Sequence, residues 1–226
     1  MNRQSPLSTL LQISPIGLIL GFFLVLPIGT ILIVSFWDYN DFSFFPDFVW
    51  TNYSDALGSN VTYKTYLNTF WYAGLTWLCT FLIGFTVAYF LAFHIHTTRW
   101  QIVLFLICTI PFWTSNIIRM ISWIPFLGRN GVFNTMLQSI GLINEPLEFL
   151  LFSDFSIVLA FVHLYALFMV VPIFNSMMRI DRSLIEAAID GGANGWQMLT
   201  NVVIPLCKPG IAIGSIFVVT LVMGDY

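Results

Sequence analysis

The 226-residue chain is 58% hydrophobic and only 8% charged, and its formal net charge is −3. Soluble domains carry about 25% charged residues, so this composition cannot cover a water-facing surface and indicates a protein whose main solvent is lipid. No basic patch is present to hold phosphates, which argues against a nucleic-acid partner. The three cysteines are far apart and no Cys/His cluster occurs, so neither a disulfide scaffold nor a metal site is expected.

Five apolar segments are predicted to cross the lipid bilayer as helices, because a helix satisfies its own backbone polar groups in lipid. In chain order they are residues 16–36, 66–93, 102–123, 155–174 and 210–226. The first is about 20 residues long, enough for the hydrocarbon core, and no small-residue cleavage site follows it. It is therefore interpreted as a retained helix rather than a signal peptide, and Pro27 inside it is expected to introduce a kink.

The predicted fold is an all-α, multi-pass helix bundle, with residues 1–15 as a cytoplasmic N-terminal segment and 16–226 as one transmembrane domain. The positive-inside rule favours a cytoplasmic N-terminus. In that orientation five of the eight basic residues lie inside, namely Arg3, Arg99, Arg179, Arg182 and Lys208. The last segment is at the short limit for a crossing, so the chain is expected to be a fragment that lacks a sixth helix.

Residues 175–209 form the long cytoplasmic loop of this topology. Ser183 and Glu186 have the spacing of a capping box, which predicts a short helix that begins at Ser183. The pair Gly191–Gly192 is predicted to end this helix, because glycine adopts the left-handed conformation that closes one. Asn194 is then predicted to cap a second helix.

This loop resembles the signature loop of ABC importer permeases, which reads E-A-A, three residues, G, nine residues, I, one residue, L-P. Here Glu186-Ala187-Ala188 is followed after three residues by Gly192, and nine residues later come Val202, Val203, Ile204 and Pro205. The two departures, Val for Ile and Ile for Leu, preserve volume and polarity. Residues 119–134 and 172–184 also resemble the polyamine-type permeases of this family.

The resemblance implies a permease subunit of an ATP-driven importer in the bacterial plasma (inner) membrane. It implies that the short helix is a coupling helix, whose Glu186 pairs with a basic residue on a separate ATP-binding cassette ATPase. It also implies a second homologous permease subunit and an external solute-binding protein as partners. No cofactor is expected on this chain, because it lacks a phosphate-binding loop and ATP would bind to the ATPase.

The solute class that the resemblance implies is a polyamine such as spermidine or putrescine. Permeases for sulfate, ferric iron, thiamine and molybdate carry the same loop and remain alternatives. A non-transporting membrane scaffold that recruits a soluble partner through the loop is a further alternative. Met223-Gly224-Asp225 is similar to the glycine–aspartate motif of intramembrane aspartyl proteases, which need two carboxylates inside the membrane. No second aspartate lies inside another predicted span, so a membrane enzyme is not expected.

Polar residues inside the predicted spans are candidates for the transport pathway, because charges at membrane depth are usually functional. They are Arg119, Trp123, His163, Tyr165 and Asp225. Arg119 lies near the outer end of its span, where extension of its side chain to the membrane interface is the alternative. His163 is expected to face the bundle interior and to find a hydrogen-bond partner there.

Overall fold

The computed structural model describes residues 6–40 and 43–226, and the chain divides into two units at Thr65. Arg3 and the start of the predicted cytoplasmic segment lie outside the described residues. Within the described part, four helices are long and apolar enough to cross a membrane, and the number is five if a bent helix pair is counted as one span. The prediction of an all-α, multi-pass bundle is thereby confirmed, while the orientation of the termini stays a prediction.

The first unit begins with an apolar helical rod in three parts: α1 (Pro6–Leu20), a π-helical turn (Gly21–Val25) and α2 (Leu26–Val34). The predicted first span therefore forms, and its helix already begins at Pro6. Pro27 lies in the first turn of α2, directly after the π-helical turn. A π-helical turn widens the helix locally, so the helix accommodates the ring of Pro27 and continues.

An aromatic cluster follows α2 in the first unit. The short strands β1 (Asp38–Asn40) and β2 (Ser43–Phe45) pair antiparallel, and α3 (Thr51–Gly58) follows. Asn52 on α3 donates hydrogen bonds to two backbone carbonyls of the chain that leaves α2. The rings of the cluster lie 4.5–6.2 Å apart and belong to Phe36, Phe48, Trp50 and Tyr53. This hairpin and helix were not predicted, because the segment combines turn formers with scattered aromatics and no regular period.

A long helix, α4 (Asn60–Tyr89), crosses into the second unit and ends in a π-helical turn (Phe90–His94). A tight turn then leads to α5 (Thr98–Thr109). The buried side chain of Gln101 on α5 holds this turn, because its Nε2 donates to the carbonyl of Ile95 at 2.8 Å and lies within 3.3 Å of two carbonyls of the π-helical turn. The chain between the second and third predicted spans is therefore a short, well-bonded turn.

The third predicted span, residues 102–123, is not one straight helix. After α5 the chain forms a 3-10 turn (Ile110–Trp113) and then α6 (Asn116–Ile121), and the stretches Thr98–Trp113 and Asn116–Ser139 meet at a bend of 89°. Thr114 and Ser115 at the break have extended backbone, with ψ values of 151° and 137°. Two consecutive extended residues interrupt a helix. Hydropathy predicted that the segment is apolar, but not that the chain changes direction within it.

Short helices and a buried asparagine organise the chain between the third and fourth spans. The helices are α7 (Trp123–Leu127) and α8 (Val132–Ser139). Asn134 on α8 is fully buried and bonds the carbonyl of Gly128 at 3.0 Å and the N–H of Leu147 at 2.8 Å. One side chain therefore joins both ends of this segment.

The core of the second unit lies where α4, α9 (Asp154–Met177) and α12 (Ile204–Asp225) meet. Met169 of α9 is fully buried, and Cβ atoms added at Gly84 of α4 and Gly214 of α12 would each lie 2.8 Å from its side chain. Small residues let membrane helices approach closely where lipid gives no hydrophobic drive for association. The second and last spans, α4 and α12, therefore pack through glycine contacts onto one methionine of the fourth span, α9.

The last span is longer than the predicted residues 210–226. It begins with α11 (Gly195–Met198), continues through a π-helical turn (Leu199–Val203) and runs on as α12, so the helical rod extends over Gly195–Asp225. Pro205 lies in the first turn of α12, just after the π-helical turn, which widens the rod near the proline ring. The predicted cytoplasmic loop is correspondingly shorter than residues 175–209.

Candidate functional site

The short helix of the signature loop is α10 (Arg182–Asp190), and Asp181 caps it. The Asp181 carboxylate accepts a hydrogen bond from the backbone N–H of Ser183 at 3.0 Å. This bond and a side-chain bond from Ser183 lower the pKa of Asp181 below its ordinary value. The predicted capping box of Ser183 and Glu186 is therefore wrong, because an aspartate two residues earlier takes the capping position and Ser183 lies inside the helix.

The glycine pair ends α10 as predicted. Gly191 and Gly192 follow the last helical residue, and Gly192 has a φ of +80°, in the left-handed region that favours glycine. The N–H of Gly192 bonds the Ile189 carbonyl at 2.9 Å. Asn194 then caps α11 through a reciprocal capping box with Gln197, with bonds of 2.8 and 3.0 Å, which confirms that prediction too.

Large apolar side chains on this helix–turn–helix are uncovered in the described chain. Three side chains on it are 47%, 57% and 72% exposed: Leu184, Ile189 and Trp196. Glu186 is exposed on the same helix and forms no ion pair with another described residue. The structure thus places Glu186, Ala187, Ala188 and Gly192 on one compact element, and Pro205 farther along at the start of α12.

A second group of predicted residues comes together where α6 meets α9. Arg119 is 7% exposed, and its Nη2 donates to Asn116 Oδ1. Trp123 packs edge-on against the ring of His163, with ring centroids 5.5 Å apart. Arg119 therefore does not extend to the surface, and the expectation that His163 finds a partner fails at Nδ1, which is buried with no hydrogen bond to the described residues.

Two tyrosine–carboxylate pairs lie at one end of the second unit. Tyr165 on α9 donates a hydrogen bond to the carboxylate of Asp225 at the end of α12. Tyr72 on α4 donates to Asp154 Oδ1 at 2.6 Å, and the ring of Tyr226 lies 4.7 Å from that of Tyr72. Tyr72 and Asp154 were not among the predicted pathway residues. Asp154 falls just outside the predicted fourth span, and its place in the first turn of α9 was the signal that could have found it.

Aromatic rings and a cavity continue from these pairs along α9. The ring of Phe168 lies 6.2 Å from Tyr165, 6.1 Å from Phe217 and 5.5 Å from Phe112. These three phenylalanines line a cavity of about 530 Å³ that reaches Arg179 near the end of α9. Polar groups, aromatic rings and an open cavity thus follow one another along a single helix.

Comparison with known proteins identifies the family. The chain is 33% identical over 209 residues to the spermidine/putrescine transport system permease protein PotB of Haemophilus influenzae, covering 91% of this chain and 71% of the relative. It is 32% identical over 203 residues to PotB of Escherichia coli K12, covering 89% of this chain and 72% of that protein. No family model matches the chain.

A solved structure shares the fold. A chain of a bacterial alginate ABC transporter, crystallised in complex with an alginate pentasaccharide-bound periplasmic protein, matches with a TM-score of 0.72 at 22% identity, covering 92% of this chain and 69% of that one. The helical spans place the protein in the membrane, and its relatives are membrane components of transporters rather than enzymes. The chain therefore belongs to the ABC importer permeases of the bacterial inner membrane, in the family that includes PotB.

Proposed function

We propose that this permease subunit carries a polyamine through a pathway that begins at its two tyrosine–carboxylate pairs. The relatives of H. influenzae and E. coli are named for spermidine and putrescine, which are linear chains with positively charged ammonium groups. The observation that carries the proposal is that Asp154 and Asp225 each lie against a tyrosine at one end of the bundle. A carboxylate and an aromatic face are the two groups that attract an ammonium ion.

The two pairs together offer two carboxylates to a solute with more than one ammonium group. Tyr226, the residue after Asp225, has its ring 4.7 Å from the ring of Tyr72, so both pairs lie at the same end of the bundle. Sulfate and molybdate would be repelled by the same groups, so the pairs favour a cationic solute over these anions.

The driving element in this proposal is α10 with its flanking turn. Its exposed apolar residues Leu184 and Ile189 form a docking face for an ATP-binding cassette ATPase, and Glu186 supplies a charge at the contact. A short helix fixed between two spans transmits a rigid-body movement of the ATPase to the bundle. ATP binds to that partner, a second permease completes the pathway, and an external binding protein delivers the solute.

The test uses the full-length protein with its partner subunits in liposomes, and measures spermidine uptake and spermidine-stimulated ATP hydrolysis. Asp225→Asn removes a carboxylate charge, and we expect uptake to fall by about tenfold or more while membrane insertion is unchanged. Asp55→Asn is the control, because Asp55 lies outside the proposed pathway on α3. Spermidine uptake that is equal in both variants, or stimulation by sulfate instead of spermidine, would contradict the proposal.

A further inference from the structure

Arg119 is a buried cation for which the described part of the chain supplies no carboxylate. Its side chain is 7% exposed, and its Nε has no acceptor. Among the described residues, the only ion pair joins Arg129 to Glu148. A guanidinium has five N–H donors, and Arg119 places one on Asn116 Oδ1. A buried charge without a partner strongly destabilises a protein, and still more so in a membrane-spanning segment.

Two further orphaned polar atoms lie beside this cation. Trp123 Nε1 and His163 Nδ1 are both buried and have no hydrogen-bond partner in the described chain. Arg119 and His163 line one cavity of about 260 Å³, and Trp123 packs edge-on against the His163 ring. Three hydrogen-bonding atoms without a partner in the described chain therefore belong to neighbouring side chains, and two of these side chains, Arg119 and His163, line the same cavity.

The chemistry of these atoms selects an anionic acceptor. The arginine and the tryptophan offer only N–H donors, and the histidine nitrogen donates or accepts according to its tautomer. The positive charge of Arg119 repels an ammonium group, so this cavity is no contact for a polyamine. A carboxylate matches the planar fork of a guanidinium and has lone pairs left for further donors.

We infer that the Arg119 cavity takes a carboxylate from outside this chain, held by the guanidinium and by His163. Two sources have this chemistry: an acidic side chain of the second membrane subunit, and a small free carboxylate. The first source rests on the proposed function, since the second subunit is part of it. The remaining walls are apolar, so they exclude water and strengthen the ion pair; they include Ile83, Leu164 and Leu167.

The experiment uses the complete transporter with the variant Arg119→Lys, which keeps the positive charge and introduces an amine. A membrane-permeant carbodiimide joins that amine to an adjacent carboxylate as an amide, and mass spectrometry identifies the product. One arm contains no added carboxylate, and the other contains sodium acetate. We expect a cross-link from position 119 to an aspartate or glutamate of the second subunit, or acetylation at position 119 in the acetate arm. Arg119→Gln has no amine there and must lose either product.

The chain supplies a positive control in Arg129→Lys. Its neighbour Glu148 is 3.5 Å from the Arg129 guanidinium, so that variant must form a cross-link within the chain. The inference is overturned if position 119 stays unmodified in both arms while the control pair reacts, or if it is joined to a carboxylate of this chain such as Asp225. Co-purification of a second membrane subunit is measured first. If the second subunit does not co-purify, the result counts against the proposed function. If it does co-purify and position 119 stays unmodified in both arms, the result counts against this inference alone.

Discussion

The phenol of Tyr72 on α4 donates a 2.6 Å hydrogen bond to Asp154 Oδ1 at the start of α9, and so joins two helices whose residues are 82 positions apart. Tyr72 is 6% exposed, so the bond is shielded from competing water. It fixes the position of the Asp154 carboxylate, and the ring of Tyr226 lies 4.7 Å from the ring of Tyr72. The tyrosine therefore positions the first charge of the proposed pathway as well as tying α4 to α9.

Tyr72→Phe is expected to lower the free energy of unfolding by about 0.6–2 kcal/mol, because it removes this bond and keeps the ring. Thermal unfolding of the purified protein in detergent measures the change. Tyr63→Phe is the control, because Tyr63 is 62% exposed. A double-mutant cycle with Asp154→Asn isolates the pair, and a coupling energy of zero would show that the bond does not contribute.

Gly210→Ala is expected to destabilise the bundle by about 1–3 kcal/mol, the range for overpacking a close contact. A Cβ at this position of α12 would collide with the carbonyl of Pro172 on α9 and lie 2.8 Å from Ser176 Cβ. The Pro172 carbonyl belongs to the backbone, so the collision is relieved only if α9 and α12 move apart. Thermal unfolding in the same detergent reports the loss.

Gly74→Ala is the matched control for that substitution. Gly74 lies inside α4, and a Cβ there would meet no atom within 4 Å. Alanine in a helix interior is favoured over glycine by about 0.5–1 kcal/mol, so this variant should unfold at an equal or higher temperature. Equal destabilisation by both variants would mean that the contact of Gly210 with α9 does not matter for stability.

Local signals in the sequence predicted part of the fold. Hydropathy located all five apolar segments, and the glycine pair and Asn194 marked the turn after α10 because their conformational preferences act within a few residues. The bend between α5 and α6 was missed, since hydropathy is the same for straight and broken apolar segments. The start of the last span was also missed, because a π-helical turn carries the helix through Leu199–Val203 without a change in composition.

The candidate site was predictable as a set of residues but not as an arrangement. Charges inside apolar segments drew attention to Arg119 and Asp225 individually. Their neighbours depend on helix rotation and on contacts between distant segments, which one sequence does not specify. Tyr72 illustrates this, because nothing in its own segment indicates that it faces Asp154.

The cap of α10 should respond to acid because its acceptor is the Asp181 carboxylate. The hydrogen bonds from Ser183 lower the pKa of Asp181 in the folded state, so the stabilisation is complete at neutral pH. It is lost as the pH falls below about 4 through the lowered pKa, when the carboxylate is protonated. Hydrogen-exchange protection of the Leu184 amide, which bonds the Asp181 carbonyl at 3.1 Å, should decrease over that range.

Asp181→Asn separates this effect from general acid unfolding. Asparagine caps helices as well as aspartate does but does not titrate, so its protection at neutral pH should be close to that of the wild type. It should then stay constant where the wild type loses protection. The same acid-dependent decrease in both proteins would show that a group other than Asp181 controls the helix.

Gly192→Ala should impair coupling to the ATPase while leaving the spans intact. Gly192 holds a φ of +80°, and an alanine in the left-handed region costs about 1–2 kcal/mol, although no atom would contact its Cβ. The strain is relieved if the turn after α10 changes shape, which moves Glu186 and the apolar residues of the docking face together. We expect less ATPase to co-purify and solute-stimulated ATP hydrolysis to fall.

Gly195→Ala is the control, because Gly195 is equally uncrowded but has no positive φ. If the two variants retain the same amount of ATPase, the conformation of this turn does not determine docking, and the exposed residues of α10 alone would have to account for it.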